Sequence, residues 1–181
     1  VLFRSMRNIG AAVARACSRH KSMATTLAGV GRSNKRTGTK ALVEGMALAL
    51  HRWTDLKKDK SSVSALVDIT FVADSPEIRA GVAEGTTTAR AVTMARDWAN
   101  TPPSHLTATK FANEAVKLAK ASGLRVTVYD KKQLQEMGCG GIVGVNAGSV
   151  EPPRVVKLVR SEEHTSELQS PCNLVCRLLL E

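Results

Sequence analysis

Apolar and polar residues follow one another along this chain with two periods, one typical of helices and one typical of strands. Residues 40–53 carry the clearest helical stripe, in which apolar side chains recur every three to four positions. The stripe consists of Leu42, Met46, Ala49, Leu50 and Trp53. Residues 7–20 predict another helix, with small apolar residues on one face, and the β-branched residues of 64–72 predict a strand. The first half of the chain is therefore expected to mix helices with a strand.

Start and stop signals bracket a long helix in the middle of the chain. Ser75 suits the N-cap, Pro76 suits the first helical position, and Glu77 interacts favourably with the helix dipole. The Thr-Pro-Pro segment at 101–103 ends the helix near Asn100, because proline lacks an amide donor and restricts the residue before it. A helix of this length is a candidate spacer between two domains.

The pattern after residue 103 predicts helices that alternate with strands. Thr107 opens a helix that Gly123 closes, residues 124–129 form a strand, and residues 131–137 form a short helix. A glycine turn then leads to a buried strand at 141–145. Helix, strand, helix and strand in this order suggest a parallel sheet that begins near residue 124.

Candidate chemistry is sparse in this second half. The Gly-Cys-Gly-Gly segment at 138–141 is predicted to precede a strand instead of opening a helix, so it lacks the context of a phosphate-binding loop. A tight turn with positive φ is its expected role. Ser149 has no evident base, and Cys139 has no nearby cation to activate its thiol. The residues alone predict an α/β chain without a visible active site.

Both ends of the chain differ from the segment between them. Residues 1–5 and 160–181 match translations of the two ends of a common sequencing adapter, and such scars are set aside in fold reasoning. The expected biological segment covers residues 6–159 and keeps two of the four cysteines, Cys17 and Cys139. Two distant cysteines make neither a disulfide framework nor a zinc ribbon, so a reduced, cytoplasmic setting is expected.

Positive charge is concentrated near the start of the chain. Residues 6–60 carry 12 Lys and Arg against three acids, whereas residues 61–159 carry 11 against nine. The simplest interpretation is a cationic helix face whose acidic partners lie elsewhere in the protein. A mitochondrial presequence at 6–15 and a nucleic-acid-binding surface over 6–60 stay open. The three Phe, two Trp and one Tyr are too few for a base-stacking surface.

The middle of the chain resembles a known family. The segment Ala-Arg-Asp-Trp-Ala-Asn-Thr-Pro-Pro at 95–103, followed by Leu106 and Thr107, resembles the signature of the leucyl (cytosol) aminopeptidases, which are two-metal peptidases. Further similar segments lie at 44–48, 123–130, 137–138, 144–149 and 152–158. The sequence departs from the family pattern at Ala108, where proline is usual, and at 51–53, where His-Arg-Trp replaces an aromatic pair.

This resemblance implies an α/β fold made of three parts between the adapter-like ends at 1–5 and 160–181. Residues 6–75 would be the carboxy-terminal part of the amino-terminal α/β domain, residues 76–101 a connecting helix, and residues 102–159 the first β/α units of the catalytic domain. Complete members are hydrolases that remove amino-terminal residues from peptides. They use two divalent ions, manganese or zinc, to polarise the scissile carbonyl and generate hydroxide. They form homo-hexamers.

The resemblance places the metal ligands and the catalytic Lys and Arg of the family after the Pro-Pro-Arg strand, so no catalytic, cofactor-binding or metal residue is assigned here. Glu44, Asp97, Asp130 and Glu151 lack the spacing of metal ligands, and so do the histidines. We expect a fragment that is inactive and unstable alone, binds no metal and contacts no membrane. The alternatives are a basic nucleic-acid-binding module and a purely structural α/β module.

Overall fold

A computed structural model describes residues 2–28, 30, 34–73 and 75–160 of the 181-residue chain. These residues form two compact units, with the boundary after Asn100. The first unit contains α1 (Leu2–Ala16), β1 (Ser22–Thr25), α2 (Lys35–Leu50), β2 (Asp68–Phe71) and α3 (Pro76–Asn100). The second unit contains α4 (Ala108–Ala121), β3 (Arg125–Tyr129), α5 (Lys131–Glu136), α6 (Gly140–Val145), a 3₁₀ turn (Asn146–Gly148) and β4 (Val155–Val159).

The core of the first unit lies where α1 packs against α2. Its buried apolar residues are Met6, Ala14, Ala41, Leu42 and Met46. The two helices approach so closely that only glycine fits at the crossing. A Cβ atom at Gly10 would lie 2.3 Å from the Leu42 carbonyl oxygen, and one at Gly45 would lie 2.0 Å from the Arg7 carbonyl oxygen. Strands β1 and β2 pair in parallel beside these helices, with Ser22 opposite Asp68.

The long helix α3 packs along α2 inside the first unit. Its buried side consists of Ile78, Gly81, Gly85 and Ala89. Small residues on this side let the backbones approach, since a Cβ atom at Gly81 would lie 2.5 Å from the Arg36 carbonyl oxygen. The start and stop signals predicted the bounds of α3 correctly, because Pro76 and Asn100 are its first and last residues.

The second unit contains an antiparallel strand pair covered by α4. Strand β3 pairs with β4 from Arg125 opposite Val159 to Tyr129 opposite Val155. Helix α4 packs on both strands and buries Ala112, Ala115 and Ala119. Its ends are as predicted, with Thr107 as N-cap and Gly123 at a φ of 67° just beyond the last turn.

Two expectations for the second unit were wrong. Residues 141–145 belong to helix α6, which has no buried residue, and not to a buried strand. The β-branched residues of this segment favoured a strand, but such propensity gives way to context. The sheet is antiparallel and not parallel. The chain returns from β3 to β4 through two short helices and a 3₁₀ turn, which reverse its direction instead of making a parallel crossover.

The element bounds in the first unit differ from the predicted ones by a few residues. Helix α1 spans Leu2–Ala16 and not 7–20, so the backbone of residues 2–5 is helical although these residues were set aside as adapter-like. Helix α2 begins at Lys35 because the Asn34 side chain accepts hydrogen bonds from two backbone amides of the first turn. Strand β2 is shorter than 64–72, and β1 was not predicted. The adapter-like residues 161–181 lie outside the described part.

Candidate functional site

The family-like segment at 95–107 forms the connection between α3 and α4. After α3 ends at Asn100, the amides of His105 and Leu106 both donate hydrogen bonds to the Pro102 carbonyl oxygen, at 2.8 and 3.0 Å. The Thr107 hydroxyl then accepts a hydrogen bond from the Lys110 amide at 3.4 Å and caps α4. This connection therefore fixes a turn and a helix start.

Glu44 is a buried acid with a structural partner. Its side chain is only 2% exposed and pairs with the guanidinium of Arg7, which is about half exposed. A buried carboxylate needs such a partner, because removing an unpaired charge from water is costly. The Arg7–Glu44 pair joins α1 to α2, and this role accounts for the burial of Glu44.

Asp130 and Glu151 are also fixed by local hydrogen bonds. The Asp130 carboxylate accepts a hydrogen bond from the Gln133 amide at 2.9 Å, while the Gln133 side chain accepts one from the Asp130 amide at 2.9 Å. This reciprocal capping box starts α5. The Glu151 carboxylate accepts a hydrogen bond from the Thr109 hydroxyl at 3.3 Å. Both acids hold the backbone or a neighbouring helix in place.

The fourth acid, Asp97, lies beside a histidine in a groove between α2 and α3. The Nε2 atom of His51 is 3.1 Å from Oδ1 of Asp97. His51 Nε2 is buried and forms no aligned hydrogen bond with any described residue, so the contact is an ion pair only when the ring is protonated. The groove, of about 410 Å³, is lined by Val43, Ala47, Thr86, Ala89, Arg90, Thr93, Met94, Asp97 and Trp98. This lining contains no Ser or Cys nucleophile, so the pair does not complete a hydrolytic triad.

The perturbed acids belong to surface interactions. A hydrogen bond from Arg36, whose Nε lies 2.8 Å from the carboxylate, lowers the pKa of Glu84. Hydrogen bonds from the amide and hydroxyl of Ser61 lower the pKa of Asp59. Asp59 is exposed and Glu84 is partly exposed, and both lie outside the groove. Their shifts reflect local structure and not a catalytic environment.

The described ranges contain no group of three or more His, Cys, Asp or Glu side chains that could hold a metal ion. Within the same ranges, no helix has both the length and the apolar character needed to cross a membrane.

The 138–141 segment does open a helix, contrary to expectation, but Cys139 makes no side-chain capping bond there. Gly138 has the positive φ expected of a turn, at 71°.

Comparison with known proteins supports the family resemblance. Residues 93–176 match the model of the cytosol aminopeptidase family, catalytic domain. The probable cytosol aminopeptidase of Mycobacterium leprae (strain TN) is 38% identical over 157 residues, which cover 86% of this chain and 30% of that protein. The matched segment resembles the catalytic domain of the cytosol aminopeptidase family. The resemblance inferred from the sequence is therefore confirmed. The chain spans about 30% of the length of the curated relatives that it matches.

Another relative and two solved structures are also similar to this chain. The probable cytosol aminopeptidase of Mycobacterium ulcerans (strain Agy99) is 38% identical over 156 residues, covering 85% of this chain and 30% of that protein. The solved structure of the bottromycin maturation enzyme BotP in complex with Mn is 33% identical, with a TM-score of 0.75, over 86% of this chain and 33% of that one. A mutant of tomato leucine aminopeptidase is 25% identical, with a TM-score of 0.70, over 86% of this chain and 32% of that one. The predicted α/β fold class is confirmed.

Proposed function

We propose that this chain is part of an enzyme that removes amino-terminal residues from peptides by two-metal hydrolysis. The observation that carries the proposal is the match of residues 93–176 to the family's catalytic domain. The relatives that cover 85 to 86% of this chain are named cytosol aminopeptidases, which favours this function over a nucleic-acid-binding or purely structural module. Peptides are the substrates that this family implies.

The metal centre belongs, in this proposal, to a part of the enzyme outside this chain. The side chains of the described residues do not fit a metal centre, since they bring no three ligand side chains together. Glu44, Asp130 and Glu151 have hydrogen-bond or ion-pair partners, and Asp97 faces His51. We therefore derive no catalytic step for this chain. Manganese is supported as the metal by the BotP complex, and zinc is the alternative.

The proposed domain plan has three parts. Residues 6–75 would complete an amino-terminal α/β domain, residues 76–101 would connect it to the catalytic domain, and residues 102–159 would begin that domain. Residues 1–5 and 160–181 would be adapter-derived. The whole enzyme would form a homo-hexamer in the cytoplasm. A cytoplasmic location is supported by the names of the relatives.

The proposal is tested by comparing the longer enzyme with this chain. The reading frame that continues beyond these codons would be expressed, and both proteins would be assayed for hydrolysis of a leucyl amide with Mn²⁺ or Zn²⁺. We expect metal-dependent hydrolysis by the longer enzyme and none by the 181-residue chain. Size-exclusion chromatography with light scattering would test the hexamer. Metal-dependent hydrolysis by the chain alone would contradict the placement of the metal centre.

A further inference from the structure

A basic cleft lies at the carboxy-terminal ends of α1 and α2. Its volume is about 450 Å³, and its walls come from the end of α1, the end of α2 and the loop before β2. Three arginines line it, Arg15 and Arg19 from the first wall and Arg52 from the second. No acidic side chain is among the lining residues. The cleft therefore collects positive charge from segments that are more than thirty positions apart in sequence.

The three guanidinium groups have no carboxylate partner among the described residues. Arg15 and Arg19 form no ion pair there, in contrast to Arg7 and Arg36, which pair with glutamates. The helix dipole favours a cation near the end of each helix, but this preference is worth little at an exposed position. Three arginines that line one cleft, with no carboxylate partner among the described residues, favour a site at which an anion supplies the opposite charge.

Arg52 is held in place by the end of α2. Its Nη1 atom donates hydrogen bonds to the His51 carbonyl oxygen at 2.9 Å and to the Ala49 carbonyl oxygen at 3.4 Å. A guanidinium has five N–H donors in a rigid fork. These contacts use only the Nη1 end, so the Nε and Nη2 donors stay available. A fork that is already oriented loses less freedom when it binds an anion.

Serine hydroxyls line the cleft beside the arginines and four apolar residues. Ser64 is used internally, because its hydroxyl donates to the Ser18 carbonyl oxygen at 3.1 Å. The Ser61 hydroxyl donates to Asp59 at 2.9 Å, which ties that acid to the loop and not to the arginines. The hydroxyls of Ser18 and Ser62 make no hydrogen bond with the described residues. These two hydroxyls can donate to an anion between the arginines.

We propose that the cleft lined by Arg15, Arg19 and Arg52 binds the phosphate group of a small phosphorylated ligand. Arginine forks match phosphate oxygens bidentately, and hydroxyl donors add directed hydrogen bonds. The volume of about 450 Å³ is that of a small-molecule site. The proposal rests on the lining of the cleft and does not depend on the proposed function.

Calorimetric titration of the longer enzyme, prepared without metal, with inorganic pyrophosphate tests the proposal. The variants are Arg15→Gln and Arg19→Gln, both at exposed side chains without a partner, so their folding is expected to be unaffected and is checked by circular dichroism. Lys35→Gln is the matched control, because it removes one exposed charge at the opposite end of α2. We expect each arginine variant to weaken pyrophosphate binding by at least about tenfold, because one charge-assisted hydrogen bond is lost. The control should change the affinity by less than about twofold.

Two results would overturn the proposal. One is the absence of pyrophosphate binding to the unsubstituted, metal-free enzyme at about 0.15 M salt. The other is an equal loss in Lys35→Gln and Arg19→Gln, which would indicate a diffuse cationic surface.

Competition with a short single-stranded oligonucleotide distinguishes two sources of phosphate. Failure of the oligonucleotide to displace pyrophosphate would support a small phosphorylated ligand. Displacement that also depends on Arg15 and Arg19 would support the phosphate site but contradict the small-ligand assignment. The affinity of the oligonucleotide would then fall steeply with salt.

Discussion

At the scale of single residues, the structural role of each acid is explained by the groups that its carboxylate contacts and not by its residue type. Glu44, Asp130 and Glu151 are each held by a guanidinium, a backbone amide or a hydroxyl within the chain. Their spacing predicted no metal-ligand role for them, but it could not predict the partners of Glu44 and Glu151. The partners of Glu44 and Glu151 lie 37 and 42 positions away, and such contacts depend on tertiary packing. The Asp130 capping box is local and could have been predicted from the Asp-x-x-Gln spacing.

The glycine at the crossing of α1 and α2 gives a residue-scale prediction. We expect Gly45→Ala to lower the free energy of unfolding by about 3 kcal/mol, because its Cβ atom would meet the Arg7 carbonyl oxygen at 2.0 Å. Gly144→Ala is the control, since no atom lies within 4 Å of its added Cβ. It should be neutral or stabilising by about 0.5–1 kcal/mol, as expected for alanine in a helix. Thermal unfolding followed by circular dichroism measures both, and equal effects would contradict the close helix crossing.

At the scale of elements, the helix bounds that were predicted from proline, glycine and a capping threonine were correct. Pro76 and the Thr-Pro-Pro segment at 101–103 gave the bounds of α3, and Thr107 and Gly123 gave those of α4. Strand β1 was missed because Ser22–Thr25 is too short to show a period. Helix α6 was mistaken for a strand because its valines and isoleucine favour extended backbone. Strand direction was mispredicted because it depends on the whole connection between strands.

The capping box of α5 gives an element-scale prediction. Asp130→Ala removes the acceptor of the Gln133 amide and should cost about 1 kcal/mol of stability. Asp130→Asn keeps a hydrogen-bond acceptor at the N-cap, so it should lower the free energy of unfolding by only about a few tenths of a kcal/mol. Amide hydrogen exchange in α5 would show faster opening in the alanine variant only. A matched loss in both variants would mean that the charge of Asp130, and not its cap, matters.

The contact between α2 and α3 predicts a pH dependence. Arg36 lowers the pKa of Glu84 below its ordinary value of 4.5, so the contact stabilises the fold above that pH. The contribution is lost as the pH falls through the lowered pKa of the folded state. We expect Arg36→Gln to reduce the loss of stability between about pH 5 and pH 3. Urea unfolding at both pH values measures this difference. An acid-induced loss as steep in Arg36→Gln as in the unsubstituted chain would show that Glu84 does not contribute to it.

At the scale of the whole molecule, the two compact units differ in how much of each matches the family's catalytic domain. The first unit holds the arginine cleft, and the match to the family's catalytic domain begins within its last helix, at residue 93. The charge excess of residues 6–60 was visible in the sequence. The gathering of Arg15, Arg19 and Arg52 around one cleft was not, because it depends on where α1 and α2 end. The family resemblance could be recognised from the 95–107 segment together with the similar segments at 44–48, 123–130, 137–138, 144–149 and 152–158.

The sequence of the genomic locus or transcript across these 181 codons and beyond is the most direct test of the central claim, that this chain is part of a two-metal aminopeptidase without its metal centre. We predict that the reading frame continues past Val159 into motifs that carry the metal-binding acids and the catalytic Lys and Arg. Residues 160–181 would be replaced by that continuation. A genome that encodes residues 160–181 as they stand, with no such motifs after them, would contradict the claim.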